Sequence, residues 1–200
     1  MNALGYTLLG LLGREPLTGY ELTRRLKERV GNFWSTSHSQ VYPELARLEA
    51  EELVTHQVVE QRERPDKKVY AITDQGMEAL KEWVTTPVGP RTTRDELVLR
   101  AYCVWVADSL AAAALFREHE RRHAVRLADY EGKAAWMEQE WGEDRHRPSS
   151  PHFASYAAIR RGIGHEREYA AWCRWVAECL EAGDAGATIA EAGSPRSGHI

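Results

Sequence analysis

The stretch FWSTSHSQVYPELARLEAEELV, residues 33–54, decides the fold. Val41, Leu45 and Leu48 recur at the spacing of one helical face. Ser39, Pro43, Ala46 and Arg47 fall on the opposite face, with Tyr42 on the flank. The stretch therefore predicts a short helix, buried on one side and open on the other, ending near Glu51. Ser37 stands three residues before Gln40, the spacing of a capping box. From that start Pro43 lies near position N6, where it deletes a helical hydrogen bond at a cost of about 3 kcal/mol. A start nearer Gln40 suits the proline better.

Toward the N-terminus, residues 4–12 form a short apolar helix and residues 14–17 (REPL) a break. Thr18-Gly-Tyr-Glu21 is a second capping box. It opens a helix with a stripe of Tyr20, Leu22, Leu26 and Val30, leaving Arg24, Arg25 and Lys27 outside. Gly31 is suited to end that helix in a left-handed conformation, and Phe33 and Trp34 to plug the core beneath the turn. Toward the C-terminus, residues 54–61 (VTHQVVEQ) and 68–72 (KVYAI) are rich in β-branched side chains. The polar turn RERPDK between them makes a β-hairpin. Thr73 caps a helix from Asp74 to about Val84, with Met77, Leu80, Trp83 and Val84 on its apolar face. Three helices followed by a hairpin are the parts of a winged helix-turn-helix. Its second turn helix enters the DNA major groove, and the wing touches the flanking backbone.

Residues 85–94 (TTPVGPRTTR) have the composition of a linker. Thr93-x-x-Glu96 is another capping box, opening a helix over 95–106 that Leu97, Leu99, Tyr102, Val104 and Trp105 make apolar nearly all round. Ala107-Asp108-Ser109 is a break and cap. From 110 to 141 there is no proline and one glycine. Phe116, Glu120, His123, Leu127, Tyr130, Ala134, Met137 and Trp141 step alternately by four and three, an imperfect heptad seam. Such a helix is roughly 48 Å long and needs a partner. After a loop at 142–151, a helix from about 152 to 182 carries Tyr156, Ile159, Ile163, Ala170, Cys173, Val176 and Leu180. The expected fold is mainly α with a small β-hairpin wing. It comprises a winged helix-turn-helix domain at 1–86, a linker at 87–94, an all-α dimerisation and effector region at 95–182, and a disordered tail at 183–200.

The net charge of −4 does not by itself announce a nucleic-acid binder. Arg24, Arg25, Lys27 and Arg29, and again Arg62, Arg64, Lys67 and Lys68, form two basic clusters flanking the central helix. One charge run is ordinarily a solvated face; two around one helix favour an anionic partner. No apolar run approaches the roughly 20 residues of a membrane span, and the first residues lack the basic leader of a signal peptide. Cys103, Cys173 and Cys179 are an odd number without a CxxC, read as core thiols in a reducing cytoplasm.

GYEL (19–22), FW (33–34), VYPELARLE (41–49) and KVYAIT (68–73) resemble, in order and spacing, the PadR family of bacterial transcriptional regulators. VYP is similar to that family's signature in the recognition helix. The C-terminal helices resemble, in shape and length, the family's Vir-type dimerisation region. The resemblance implies a homodimeric repressor whose long helices cross between subunits and which an effector releases from DNA. Two positions depart from the pattern: Ser39 and Glu52 stand where the family usually has glycine.

Candidate DNA-binding residues are Ser37, His38, Ser39, Gln40, Tyr42 and Arg47 on the recognition helix, since arginine pairs with guanine and glutamine with adenine. Tyr20 is either a phosphate contact or a core tyrosine; Arg64, Lys67 and Lys68 form a basic wing tip. The dimer interface is expected along Phe116, His123, Leu127, Tyr130, Met137 and Trp141. His119-Glu-Arg-Arg-His123 matches the HExxH zinc-protease pattern. It sits inside a long seamed helix with no third ligand at an evident spacing, so no catalytic residue, cofactor or metal is assigned. A metal-responsive regulator through His119 and His123, or a zinc hydrolase, stand only as alternatives. Trp105, Trp136, Trp141, Trp172 and Trp175 read chiefly as helix packing. Some members of the family bind flat aromatic compounds between subunits using tryptophan. By that resemblance Trp105, Trp136, Trp172 and Trp175 are candidates for an apolar or aromatic effector pocket.

Overall fold

The computed structural model describes residues 1–30, 38–60, 66–89 and 94–183. The chain divides into two compact units, Met1–Pro90 and Arg91–Ile200. Ser37, Arg64, Gly31, Phe33, Trp34, Thr93 and the tail from 184 onward lie outside the described residues.

In the first unit α1 (Ala3–Leu12) starts where the Asn2 side chain accepts the Gly5 N–H at 2.9 Å. The capping box at α2 (Gly19–Arg25) is complete: Thr18 Oγ1 accepts from the Glu21 N–H at 3.2 Å, and Glu21 accepts from the Thr18 N–H at 2.8 Å. A π-helical turn, Leu26–Val30, continues α2. The helix α3 (His38–Ala50) begins at His38, not nearer Gln40, so Pro43 does lie inside it. Val41, Leu45 and Leu48 are fully buried against Leu8, Leu9 and Leu22, as their spacing requires. Tyr20, placed on the α2 stripe by its spacing, is instead exposed, which removes the core reading.

The hairpin is present as β2 (Val54–Val59) and β3 (Lys67–Ile72), in antiparallel register from Val54 opposite Ile72 to Val59 opposite Lys67. A third strand, β1 (Leu17–Thr18), pairs Leu17 with Tyr70 on the other edge of β3. The residues expected as a plain break therefore extend the wing into a three-stranded sheet, β1-β3-β2. The helix α4 (Asp74–Thr85) is capped by Thr73, whose side chain accepts from Gly76. Trp83 is only half-covered, stacked at 4.6 Å on Tyr6 of α1, and Val84 is exposed.

The end of α3 explains one departure from the family pattern. Leu53 N–H reaches the Leu48 carbonyl at 2.9 Å and Glu52 N–H the Glu49 carbonyl at 3.0 Å. Those two bonds define a Schellman turn, whose residue after the cap is left-handed. Glu52 occupies that position with φ 57°. Thr73 Oγ1 donates to the Glu52 carbonyl at 2.8 Å, and any side chain at Gly76 would collide with the Leu53 carbonyl. The first turn of α4 is thus pressed directly onto the turn that ends α3.

In the second unit α5 (Glu96–Tyr102) is capped by Asp95, which accepts from the Leu97 and Val98 N–H groups. A short 3-10 turn, Val104–Val106, follows. Of the side chains expected to bury this helix all round, Leu97 is buried while Leu99, Tyr102 and Trp105 are exposed. The long helices α6 (Ser109–Trp141) and α7 (Pro151–Ala182) form an antiparallel pair. Their contacts run from Phe116 with Cys173, Val176 and Ala177 to Tyr130 and Ala134 with Ile159 and Ile163. The turn between them contains a 3-10 segment, Gly142–His146, and Ser150 Oγ caps α7 while donating to Asp144 at 2.6 Å.

That pairing corrects the premise of an unpaired seam. Phe116 and Tyr130 are buried against α7, Leu127 and Met137 pack beside Tyr130, and Trp141 stacks on His152 at 4.4 Å. His123 shares a hydrogen bond of 2.5 Å with buried Glu166. The seam chosen as the dimer interface finds its partner within the same chain. Of the three thiols only Cys173 is in the core, where burial pushes its pKa up to about 11; Cys103 and Cys179 are exposed.

Candidate nucleic-acid interface and ligand cleft

With Val41, Leu45 and Leu48 held in the core, α3 turns Ser39, Gln40, Tyr42, Pro43, Ala46 and Ala50 to solvent. The centre of that face is made of small side chains, which lets a helix backbone approach another surface closely. His38 opens the same helix. Tyr42 is 47% and Tyr20 65% exposed. A Cβ on Gly19 would stand 2.6 Å from Tyr42 Cε1, so the GYEL and VYP stretches, far apart in sequence, meet at the start of α2. The two tyrosines flank that junction. Lys67 and Lys68 are exposed at the outer end of β3, and the charge of Lys67 reaches Glu21. The open face of α3 thus adjoins the start of α2 at Gly19, and the wing cation Lys67 lies within electrostatic reach of Glu21 on α2.

Arg47 is placed differently from its expected role on a base edge. Its Nη1 donates to Glu51 at 2.7 Å, its Nε to Glu44 Oε2 at 3.2 Å, and its Nη2 to Glu44 Oε1. Glu44 is itself buried and also accepts from Asn2 Nδ2 at 3.1 Å. The Arg47 hydrogen bond holds the Glu44 carboxyl below the usual carboxylate range, against the opposing effect of burial. Sequence reasoning overlooked Glu44 and Asn2. A signal existed: 41, 44, 45 and 48 are the complete i, i+3, i+4, i+7 face, so position 44 had to point inward.

In the second unit the tryptophans are not gathered into one pocket. Trp172 lies edge-on to Phe116 at 5.7 Å, whereas Trp136 lies edge-on to Trp141 at 5.5 Å. Positions 116 and 136 are about 30 Å apart along α6, too far for one small ligand. Trp105 and Trp175 are exposed. A cleft of about 270 Å³ lies elsewhere, lined by Glu96, Leu97, Arg100, Leu115 and His119. Arg100 is forked onto Glu96 at 2.6 and 3.1 Å. Burial and the neighbouring Arg122 push the His119 pKa below its ordinary value. His119 and His123 lie with ring centroids 6.5 Å apart, and among the described residues no group of three or more His, Cys, Asp or Glu is placed to hold a metal ion.

Residues 8–82 match the PadR-like family of transcriptional regulators, and residues 93–181 match the C-terminal region of the virulence activator alpha family. Over 174 residues the chain is 33% identical to the negative transcriptional regulator PadR of Bacillus subtilis, covering 86% of this chain and 94% of that protein. The chain belongs to the PadR-like family of transcriptional regulators. This is a family of DNA-binding regulators, not of enzymes, and the zinc-hydrolase alternative for the HERRH stretch falls with that. A probable transcriptional regulator of Mycobacterium tuberculosis is 32% identical over 189 residues, 90% of this chain and 98% of that protein. The crystal structure of Bacillus subtilis PadR in complex with operator DNA superposes with a TM-score of 0.80 at 31% identity, over 90% of this chain and 98% of that one. The same protein in complex with p-coumaric acid gives a TM-score of 0.73 at 31% identity, over 90% and 99% of the two chains. No helix among the described residues is long and apolar enough to cross a membrane.

Proposed function

We propose that this protein is a cytoplasmic, homodimeric repressor that reads an operator through α3 and is released from it by a small, planar, largely apolar effector. The observation that carries the DNA reading is the division of α3 into a buried face and a small-residue open face, flanked by Tyr20, Tyr42, Lys67 and Lys68. Gln40 and Ser39 are the base-reading candidates at the start of the helix, Ala46 and Pro43 offer apolar contact to thymine methyls, and the tyrosines and lysines hold phosphates. Residues 1–86 form the DNA-binding domain in this reading and 95–182 the dimerisation and effector region. Two half-sites about 34–36 Å apart call for a two-fold protein. Exposed Leu99, Tyr102, Trp105 and Val106 supply an apolar surface for that association, in place of the seam consumed by α7.

The effector reading moves from the dispersed tryptophans to the cleft beside α5. Leu97 and Leu115 give it apolar walls, and Arg100 and His119 give it polar groups. That composition suits a flat aromatic acid, and Bacillus subtilis PadR was crystallised with p-coumaric acid. Such a ligand shifts the protein only through unequal affinity for its DNA-bound and free states. The test is selection of duplexes from a random pool by the full-length protein, followed by titration of the selected operator with p-coumaric acid and related aromatic acids. Enrichment of one palindromic site supports the DNA reading. Loss of operator affinity as an acid binds, reported by tryptophan fluorescence, supports the effector reading. No enriched site, or acids that bind without changing operator affinity, overturn the corresponding part.

A further inference from the structure

We infer that Glu44, with Arg47 and Asn2, is a positioning residue that sets the angle at which α3 presents Ser39, Gln40 and Tyr42; the inference rests on the reading of α3 as the DNA-recognition helix. Glu44 is 7% exposed and receives hydrogen bonds from two sides. Asn2 Nδ2 donates to Oε2 at 3.1 Å while the Asn2 Oδ1 caps α1 at 2.9 Å. One side chain thus caps the start of α1 and holds α3. Gly5 belongs to the same junction, since any side chain there would collide with Glu44 Oε1. From the other side Arg47 forks onto both carboxylate oxygens and extends to Glu51 at 2.7 Å.

The apolar contacts of Val41, Leu45 and Leu48 resist separation of α3 from the core, but the hydrophobic effect is non-directional. A buried carboxylate is different, because losing either partner leaves charge uncompensated in a poorly solvated place. Rolling α3 about its axis, or sliding it along α1, breaks the Asn2 bond first. Arg47 already commits three of its five N–H groups, through Nε, Nη1 and Nη2, to Glu44 and Glu51. Held along α3 with its charge offset by those two carboxylates, it acts on DNA through the pose of the helix rather than by touching a base.

The test uses full-length protein, the duplex it selects from a random pool, and a random-sequence duplex of equal length. Affinities are measured for wild type, Glu44→Ala, Arg47→Ala, the double variant, Asn2→Ser, which retains a capping hydroxyl on α1, and Gln40→Ala. The expected result is a loss of operator affinity of about tenfold or more in each of the Glu44 and Arg47 single variants. Binding of random DNA holds within about twofold, because phosphate contacts do not depend on exact pose. The double variant loses no more than the single ones, and Asn2→Ser shows a smaller loss of the same kind. Scanning the operator one base pair at a time shows the Arg47→Ala loss spread over the half-site. A loss confined to one base pair, or persisting in full when added to Glu44→Ala, makes Arg47 a base reader and overturns the proposal. So does normal operator binding by Glu44→Ala and Arg47→Ala while Gln40→Ala is impaired. If Gln40→Ala is also normal, α3 is not the reading element and the underlying assignment fails. Equal losses on both duplexes, or a chain that does not fold in both Glu44→Ala and Asn2→Ser, reduce Glu44 to a stabilising residue and also overturn the proposal.

Discussion

Replacing Glu52 by glycine is expected to stabilise the N-terminal unit. The residue sits at φ 57° in the turn that ends α3, and a left-handed backbone costs an L-residue roughly 1–2 kcal/mol through crowding at Cβ. Its side chain is exposed, and what matters locally is backbone: its N–H reaches Glu49, and its carbonyl accepts from Thr73 at 2.8 Å. Glycine keeps those bonds and relieves the crowding. It also widens the unfolded ensemble, a loss of about 0.4–1 kcal/mol. The net gain is then about 0.5–1 kcal/mol, or a two- to five-fold rise in the protection of core amides. Native-state hydrogen exchange at Leu45 and Leu48, on the full chain, reads that gain from amides inside α3. Glu52→Ala is the decisive control because it removes the carboxylate and keeps the Cβ. Alanine should leave protection near the wild-type value. If alanine stabilises as much as glycine, the carboxylate and not the backbone was the source of strain. If glycine lowers protection, Glu52 makes a contact that outweighs its strain, and the reasoning fails.

The remaining expectations concern pH, association and linkage. Hydrogen bonds from the Thr18 N–H and hydroxyl hold the Glu21 pKa below its ordinary value of 4.5. Its contribution to stability is therefore complete above about pH 4.5 and declines as pH falls through the lower folded-state value; urea melts of Glu21→Gln should show a shallower acid decline. Light scattering should give a species twice the 22.7 kDa chain mass, and Tyr102→Ser with Trp105→Ser should shift it toward monomer while circular dichroism holds steady. A monomeric wild type at micromolar concentration removes the dimer. Effector and operator should weaken one another by the same factor, with a coupling of about 1–3 kcal/mol; unequal factors at equilibrium refute a two-state release.

What was legible in the sequence follows periodicity. The face of α3 was readable because Val41, Leu45 and Leu48 cannot all be buried in any other geometry, and the hairpin because its β-branched runs end in a charged turn. The strand β1 was not, since two residues carry no period and Leu17 is recruited only once Tyr70 is opposite it. Glu44 was hidden by its own chemistry: its position said inside and its charge said outside. The cap of α5 is Asp95, inside the Thr93-x-x-Glu96 stretch, because its carboxylate accepts two N–H groups. The period of α6 showed that one side is covered, but an interface within the chain and one between chains leave the same seven-residue signature.

The two polar positions in that seam carry the last step. Glu120 and His123 looked like defects in a heptad, yet each is matched across the helix pair. Arg174 donates to Glu120 at 2.6 Å, and His123 meets Glu166 at 2.5 Å. Glu166 is 4% exposed, and His123 Nδ1 is its hydrogen-bond partner across the helix pair. The His123 ring stacks on Tyr169 at 4.2 Å, and the Tyr169 hydroxyl donates to Asp95, the cap of α5, at 2.7 Å. One partly buried chain of contacts thus fixes the register of α6 on α7 and the start of α5 together. Apolar seam residues alone would tolerate a slip of one heptad; a slip here strands Glu166 without that partner. Removing one partner by His123→Leu should cost about 3–5 kcal/mol, whereas replacing both, with His123→Leu and Glu166→Leu, should return most of that stability. The double variant should also populate more than one register, read as extra side-chain resonances for Tyr130 and Tyr156 in the α6–α7 pair. A single set of sharp resonances at restored stability would show that apolar packing fixes the register and the polar chain does not.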